Sequence, residues 1–132
     1  MSPSAVPTAK SAFAALALAL ALSGCQKQVE APSDTGVCWH MVYLTGGKVR
    51  FNKLSQNVPS LERCAADLEA MRLRFAALGS STDQMVGAYQ GQFLFLLPQG
   101  IYTGQNLNGA RYLLLVRTGD GRLAKPGVMP VQ

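Results

Sequence analysis

The sequence predicts an α+β fold, a small antiparallel sheet of four or five strands with one amphipathic helix packed on a face, and three observations carry that prediction. Short runs rich in aromatic and β-branched residues recur around glycine-containing turns. One apolar stripe follows the alternating three-and-four spacing of a helix. Two strand-like runs precede that stripe and three follow it, an order that suggests an antiparallel sheet with one helix across a face. With 132 residues, 48% of them hydrophobic and 14% charged, the chain has enough apolar material for one packed domain.

The first strand is Val37-Cys38-Trp39-His40-Met41-Val42-Tyr43-Leu44, and it turns at Gly46-Gly47 into a second run at Val49-Arg50-Phe51. A hairpin follows from the Gly-Gly pair, which accepts the positive φ angles of tight turns. Pro59-Ser60 then opens a helix, with Ser60 as N-cap and Glu62 near the positive end of the helix dipole. Leu61, Cys64, Leu68, Met71, Phe75 and Leu78 form its buried stripe, and Gly79 stops it. A second hairpin joins Gln84 to Tyr89 with Gln92 to Leu97 around Gln90-Gly91, and Tyr112 to Val116 supplies the last strand. The helix covers one sheet face. The loop from Pro98 to Ala110 and the C-terminal tail are expected to cover the other; the alternatives are a sheet that curls toward a barrel or an apolar surface left for a partner.

The N-terminus has a different character. Lys10 precedes an apolar run from Phe13 to Leu22, too short for the roughly 20 residues a membrane-spanning helix needs. A positive start followed by a short apolar core reads as a secretory signal. Its end, Leu22-Ser23-Gly24-Cys25, resembles the lipobox of bacterial lipoproteins, a likeness confined to residues 1–25. The resemblance implies a signal peptide over 1–24, removed by cleavage before Cys25, and acylation of Cys25. It also implies a membrane partner through the lipid, since two or three acyl chains together hold far more firmly than one. Gln26 stands where enterobacterial lipoproteins retained in the inner membrane commonly carry Asp, so the outer membrane, facing the periplasm, is the expected location. Residues 25–36 are polar and lack periodicity, and are expected to form a flexible tether to a single domain over 37–132. Eleven such residues reach roughly 17 to 20 Å.

Once Cys25 is assigned to lipid, Cys38 and Cys64 remain as a pair in an oxidising compartment. A disulfide between them would close a loop of roughly 27 residues, worth about 3.5 kcal/mol in the chain-entropy model. The alternative is two separate buried thiols acting as small hydrophobes. Cys64 lies on the helix stripe and Cys38 on the first strand, a placement that suits a bridge. Metal binding is not expected, because these two cysteines and the lone His40 lack the close ligand pairs of zinc motifs.

The formal charge is +5, a modest excess that suits anionic headgroups or ordinary solvation. Nucleic acid is not an expected partner, given the compartment and the lack of a binding motif. His40 is the sole histidine and reads as a hydrogen-bonded strand residue that could serve as a pH-sensitive contact. There is no Gly-x-Ser-x-Gly elbow. Glu62, Asp67 and Glu69 are read as lying on or beside the exposed side of the helix, where Arg63, Arg72 and Arg74 can pair with them. Catalysis and a cofactor are therefore not expected. Tyr102, Gln105, Asn106 and Asn108 form one candidate ligand-binding set, with an aromatic for stacking and amides for hydrogen bonds to a sugar; a plain turn region is the competing reading. The expected role is a noncatalytic, membrane-anchored envelope module contacting an envelope protein or peptidoglycan. The alternative is a periplasmic glycan or small-molecule binder.

Overall fold

A computed structural model describes residues 28–80 and 83–127. Cys25, the signal segment 1–24 and the final residues 128–132 lie outside them. The described chain forms seven strands and one α-helix: β1 (Cys38–Tyr43), β2 (Val49–Ser55), α1 (Leu61–Ala77), β3 (Met85–Tyr89), β4 (Gln92–Leu97), β5 (Gly100–Gly104), β6 (Tyr112–Arg117) and β7 (Leu123–Ala124). They make one sheet in the order β2-β1-β3-β4-β5-β6-β7, with every pairing antiparallel. The mixed α+β character agrees with the sequence, but seven strands replace the expected four or five. The extra strands are β5, in a glycine-rich stretch read as loop, and β7, only two residues long.

Local chemistry accounts for the turns. Gln90 and Gly91 both take positive φ, 45° and 83°, the backbone of a two-residue hairpin turn matched to sheet twist. Gly46 and Gly47 also take positive φ, 77° and 75°, within a longer connection from β1 to β2 that the Leu44 N–H closes on the Lys48 carbonyl at 2.8 Å. Ser60 caps α1 by accepting a hydrogen bond from the Arg63 N–H at 3.1 Å. At the other end Gly79 sits at φ 87°. Its N–H reaches the Ala76 carbonyl and that of Ser80 reaches Phe75, both at 3.0 Å, the paired bonds of a Schellman ending.

On the helix side of the sheet, Leu68, Leu94, Leu96 and Ile101 are fully buried, with Tyr89, Met85 and Leu115 close behind. Gly87 permits this fit: a Cβ there would lie 2.3 Å from Leu68 Cδ1 and 2.6 Å from the Trp39 carbonyl oxygen. A disulfide joins Cys38 on β1 to Cys64 on α1, with Cα atoms 5.3 Å apart and both residues wholly buried. The predicted stripe is uneven along the helix. Cys64 and Leu68 are buried, whereas Phe75 is 37% and Leu78 82% exposed, so cover thins toward the last turn.

Glu69 requires a correction. The sequence placed it on or beside the exposed side of α1, yet it is 5% exposed. It lies one turn after buried Ala65, and Arg117 on β6 closes over it, with Nε 2.9 Å from Oε1 and Nη2 3.0 Å from Oε2. Arg72 adds its guanidinium from the same helix. This two-point arginine geometry compensates for the carboxylate's lost hydration. Asp67 is partly exposed, accepts from Ser55 Oγ at 2.9 Å and pairs with Arg63 at 3.5 Å.

The opposite face has its own core, built on Met41, Phe93 and Phe95. Phe51, Phe93 and Phe95 pack in succession with ring centroids 6.4 and 6.2 Å apart. Leu107 covers it, as the expected loop coverage requires, and the Arg111 guanidinium lies 3.7 Å from the Phe95 ring centroid. The remaining cover differs from expectation. Leu123 of β7 packs on the helix-side cluster, while Val29 and Ala31 pack on the aromatic one. Residues 28–36 are thus laid against the sheet as a strap. The Gly91 N–H donates to the Pro32 carbonyl at 2.8 Å, Val58 N–H to that of Gly36 at 2.9 Å, and Gly36 N–H to Gln90 Oε1 at 2.8 Å.

Candidate binding groove

The strap, the β3–β4 turn and the loop after β5 together line an open groove of about 920 Å³. Its amides come from three segments: Gln28 on the strap, Gln90 and Gln92 at the turn, and Gln105 and Asn106 on the loop. Glu30 contributes a carboxylate, and Val29 and Ala31 apolar surface. A second cavity of about 280 Å³ shares Gln92, Gln105 and Asn106 with the groove and adds Thr103, Ala110 and Tyr112.

Two of these amides are oriented by the fold. Gln90 Oε1 accepts from the Gly36 N–H, and Gln92 Oε1 lies 3.1 Å from the Thr103 hydroxyl, which also reaches the Phe93 carbonyl at 3.0 Å. With their oxygens engaged, both side chains keep amide hydrogens for a ligand. The loop can close down here because position 104 is glycine. A Cβ there would stand 2.7 Å from the Ala110 carbonyl oxygen.

Of the residues singled out by sequence, Gln105 and Asn106 line the groove together. Tyr102 instead lies half-buried in the aromatic cluster, facing Phe95 across the β4–β5 pair. Asn108 is exposed and lines neither cavity. The exposed aromatic beside the amides is Tyr112, which pairs with Thr103 across β5 and β6 and is 68% exposed. Its place at the boundary of the Tyr112–Val116 apolar run was the available signal. Gln28, Gln90 and Gln92 carried none, since single glutamines in turns and linkers are ordinary.

Other chemistry-bearing residues lie elsewhere. His40 is half-buried in a separate cavity of about 320 Å³ with Tyr43, Phe75, Gln84 and Arg111, and no described residue lining it is a carboxylate. Burial lowers the His40 pKa. Burial acts to raise that of Glu69, but hydrogen bonds and charge from Arg117 and Arg72 outweigh it and hold the carboxyl at about 2. Among the described residues no group of three or more His, Cys, Asp or Glu is placed to hold a metal ion, and no helix is long and apolar enough to cross a membrane. No protein-family model matches the chain, and neither curated proteins nor solved structures give a match.

Proposed function

We propose that this protein is a noncatalytic lipoprotein of the bacterial cell envelope, anchored by an acylated Cys25 to the outer membrane and acting in the periplasm as a protein- or envelope-contacting module. The observation that carries this reading is the buried Cys38–Cys64 disulfide. Stable structural disulfides belong to oxidising compartments, and pairing these two sulfurs leaves Cys25 as the single cysteine outside the bridge. That residue ends the lipobox-like segment. Intact mass spectrometry of protein isolated from its native membrane tests the anchor. The expected mass is that of a chain beginning at Cys25, increased by acyl groups and lowered by two hydrogens for the bridge; a chain without acyl mass overturns the reading.

A second reading, a periplasmic glycan or small-molecule binder, is favoured by the groove. Its lining carries five side-chain amides, and the Phe93 and Phe95 rings of the second sheet face are buried, with Val29 and Leu107 packed against them.

A further inference from the structure

We infer that the groove takes an uncharged, hydroxyl-rich ligand, a neutral oligosaccharide held by the amides of Gln90, Gln92, Gln105 and Asn106 with Tyr112 as a stacking surface. The inference rests on the binder reading and gives it a ligand class.

The lining decides the class by exclusion and by match. No lysine or arginine lines either cavity among the described residues, and Glu30 is the sole carboxylate. From these residues an anionic ligand would therefore meet no opposite charge, and a multivalent cation a single negative one. Five side-chain amides in the lining, against Val29 and Ala31, favour a ligand rich in hydrogen-bonding groups over a purely apolar one. Sugar hydroxyls donate and accept at once, so they can receive the amide hydrogens that Gln90 and Gln92 keep and meet both ends of the Gln105 and Asn106 carboxamides.

Two further features fit a saccharide. Gln90 and Gln92 are already tied to Gly36 and Thr103, so less side-chain freedom is lost on binding. Tyr112 presents a largely exposed ring beside Gln92 and Asn106, an apolar surface with a polar tip that suits the C–H face of a pyranose. Size argues for more than one sugar. The groove of about 920 Å³ is at the upper end of the usual range of roughly 300–1,000 Å³ for small-molecule sites, and the second cavity shares Gln92, Gln105 and Asn106 with it.

The test is titration of the full mature protein, isotope-labelled and purified from membranes in detergent, with a neutral tetramer of N-acetylglucosamine, with maltotetraose and with an anionic oligogalacturonate. Neutral oligomers from a soluble polymer and from a glycolipid headgroup share this chemistry, so a glycolipid carrying the preferred sugar is compared in the same micelles to identify the source. The expected result is concentration-dependent shifts of the side-chain amide signals of Gln90, Gln92, Gln105 and Asn106 with a neutral oligomer. A combined Gln105→Ala and Asn106→Ala variant should bind about tenfold more weakly, the loss of one or two hydrogen bonds, and Tyr112→Ala should also weaken binding while the melting temperature holds. No shifts up to about 10 mM of either neutral oligomer, far above any useful affinity, overturn the ligand class and leave the anchored-module reading to its mass test. Preference for the oligogalacturonate overturns it equally. Cleavage of the oligomer with shifts at the groove supports the site but overturns the noncatalytic reading.

Discussion

The two faces of the sheet are closed in different ways. On one side a regular helix lies across the strands, joined to β1 by the Cys38–Cys64 bridge and to β6 by the buried Glu69–Arg117 pair. On the other, the Met41, Phe93 and Phe95 core is covered by two irregular segments, the strap with Val29 and Ala31 and the loop with Leu107. The first cover is tied by covalent and ionic links, the second by a few side chains and backbone hydrogen bonds. Stability is therefore concentrated on the helix side, while the groove lies among the elements that can adjust. Binding sites commonly sit on such loops, positioned by a firmer scaffold.

Three measurements bear directly on this difference. The largest effect is expected from replacing Cys38 and Cys64 together by alanine, which should cost about 3.5 kcal/mol of unfolding free energy in urea titrations. A loss below about 1 kcal/mol would show that the bridge adds little to the helix-side contacts.

Acid should come next. Glu69 is held at about 2, below the ordinary 4.5, so its stabilisation is complete above pH 4.5, shrinks as the pH falls from there to 2, and is gone below. At most about 3 kcal/mol is at stake. Glu69→Gln should be less stable than the parent at pH 6, and the difference between them should close toward pH 2. A gap unchanged across that range would mean that the arginines do not hold the carboxylate as described.

The smallest effect is expected on the irregular side. Val29→Ser removes a half-buried side chain and should cost about 1 kcal/mol. Hydrogen exchange should rise first at the Gly91 N–H, whose acceptor is the Pro32 carbonyl. A cost as large as that of losing the disulfide would erase the distinction between the two covers.

This contrast also governs what could be read in advance. The helix side was legible because its signals are local and periodic: Ser60 and Gly79 bound a three-and-four stripe, and Cys38 and Cys64 were the pair left over. The irregular side was not. In β5, Gly100 and Gly104 look like loop residues, yet each sits where a side chain would crowd its surroundings; a Cβ at Gly100 would approach Leu113 Cδ1 and the Leu115 carbonyl oxygen at 3.1 Å. The strap is polar apart from a few residues, so the packing of Val29 and Ala31 depends on a surface assembled from distant strands. Glu69 was misplaced for the same reason. Its decisive partner, Arg117, is 48 positions away. Of the candidate ligand residues, the two amides closest to β5 belong to the groove, whereas strand alternation carries Tyr102 to the aromatic cluster.

The strap has a mechanical consequence. Cys25 is three residues from Gln28, at most about 10 Å of chain, and Pro32 is fastened to the turn joining β3 and β4 near the middle of the strand order. If lipid holds that cysteine, tension from the bilayer enters through the centre of the sheet, where strands are flanked on both sides, and the outer strands β2 and β7 carry little of the load. The body would hang close to the headgroups by its midline, with limited room to swing.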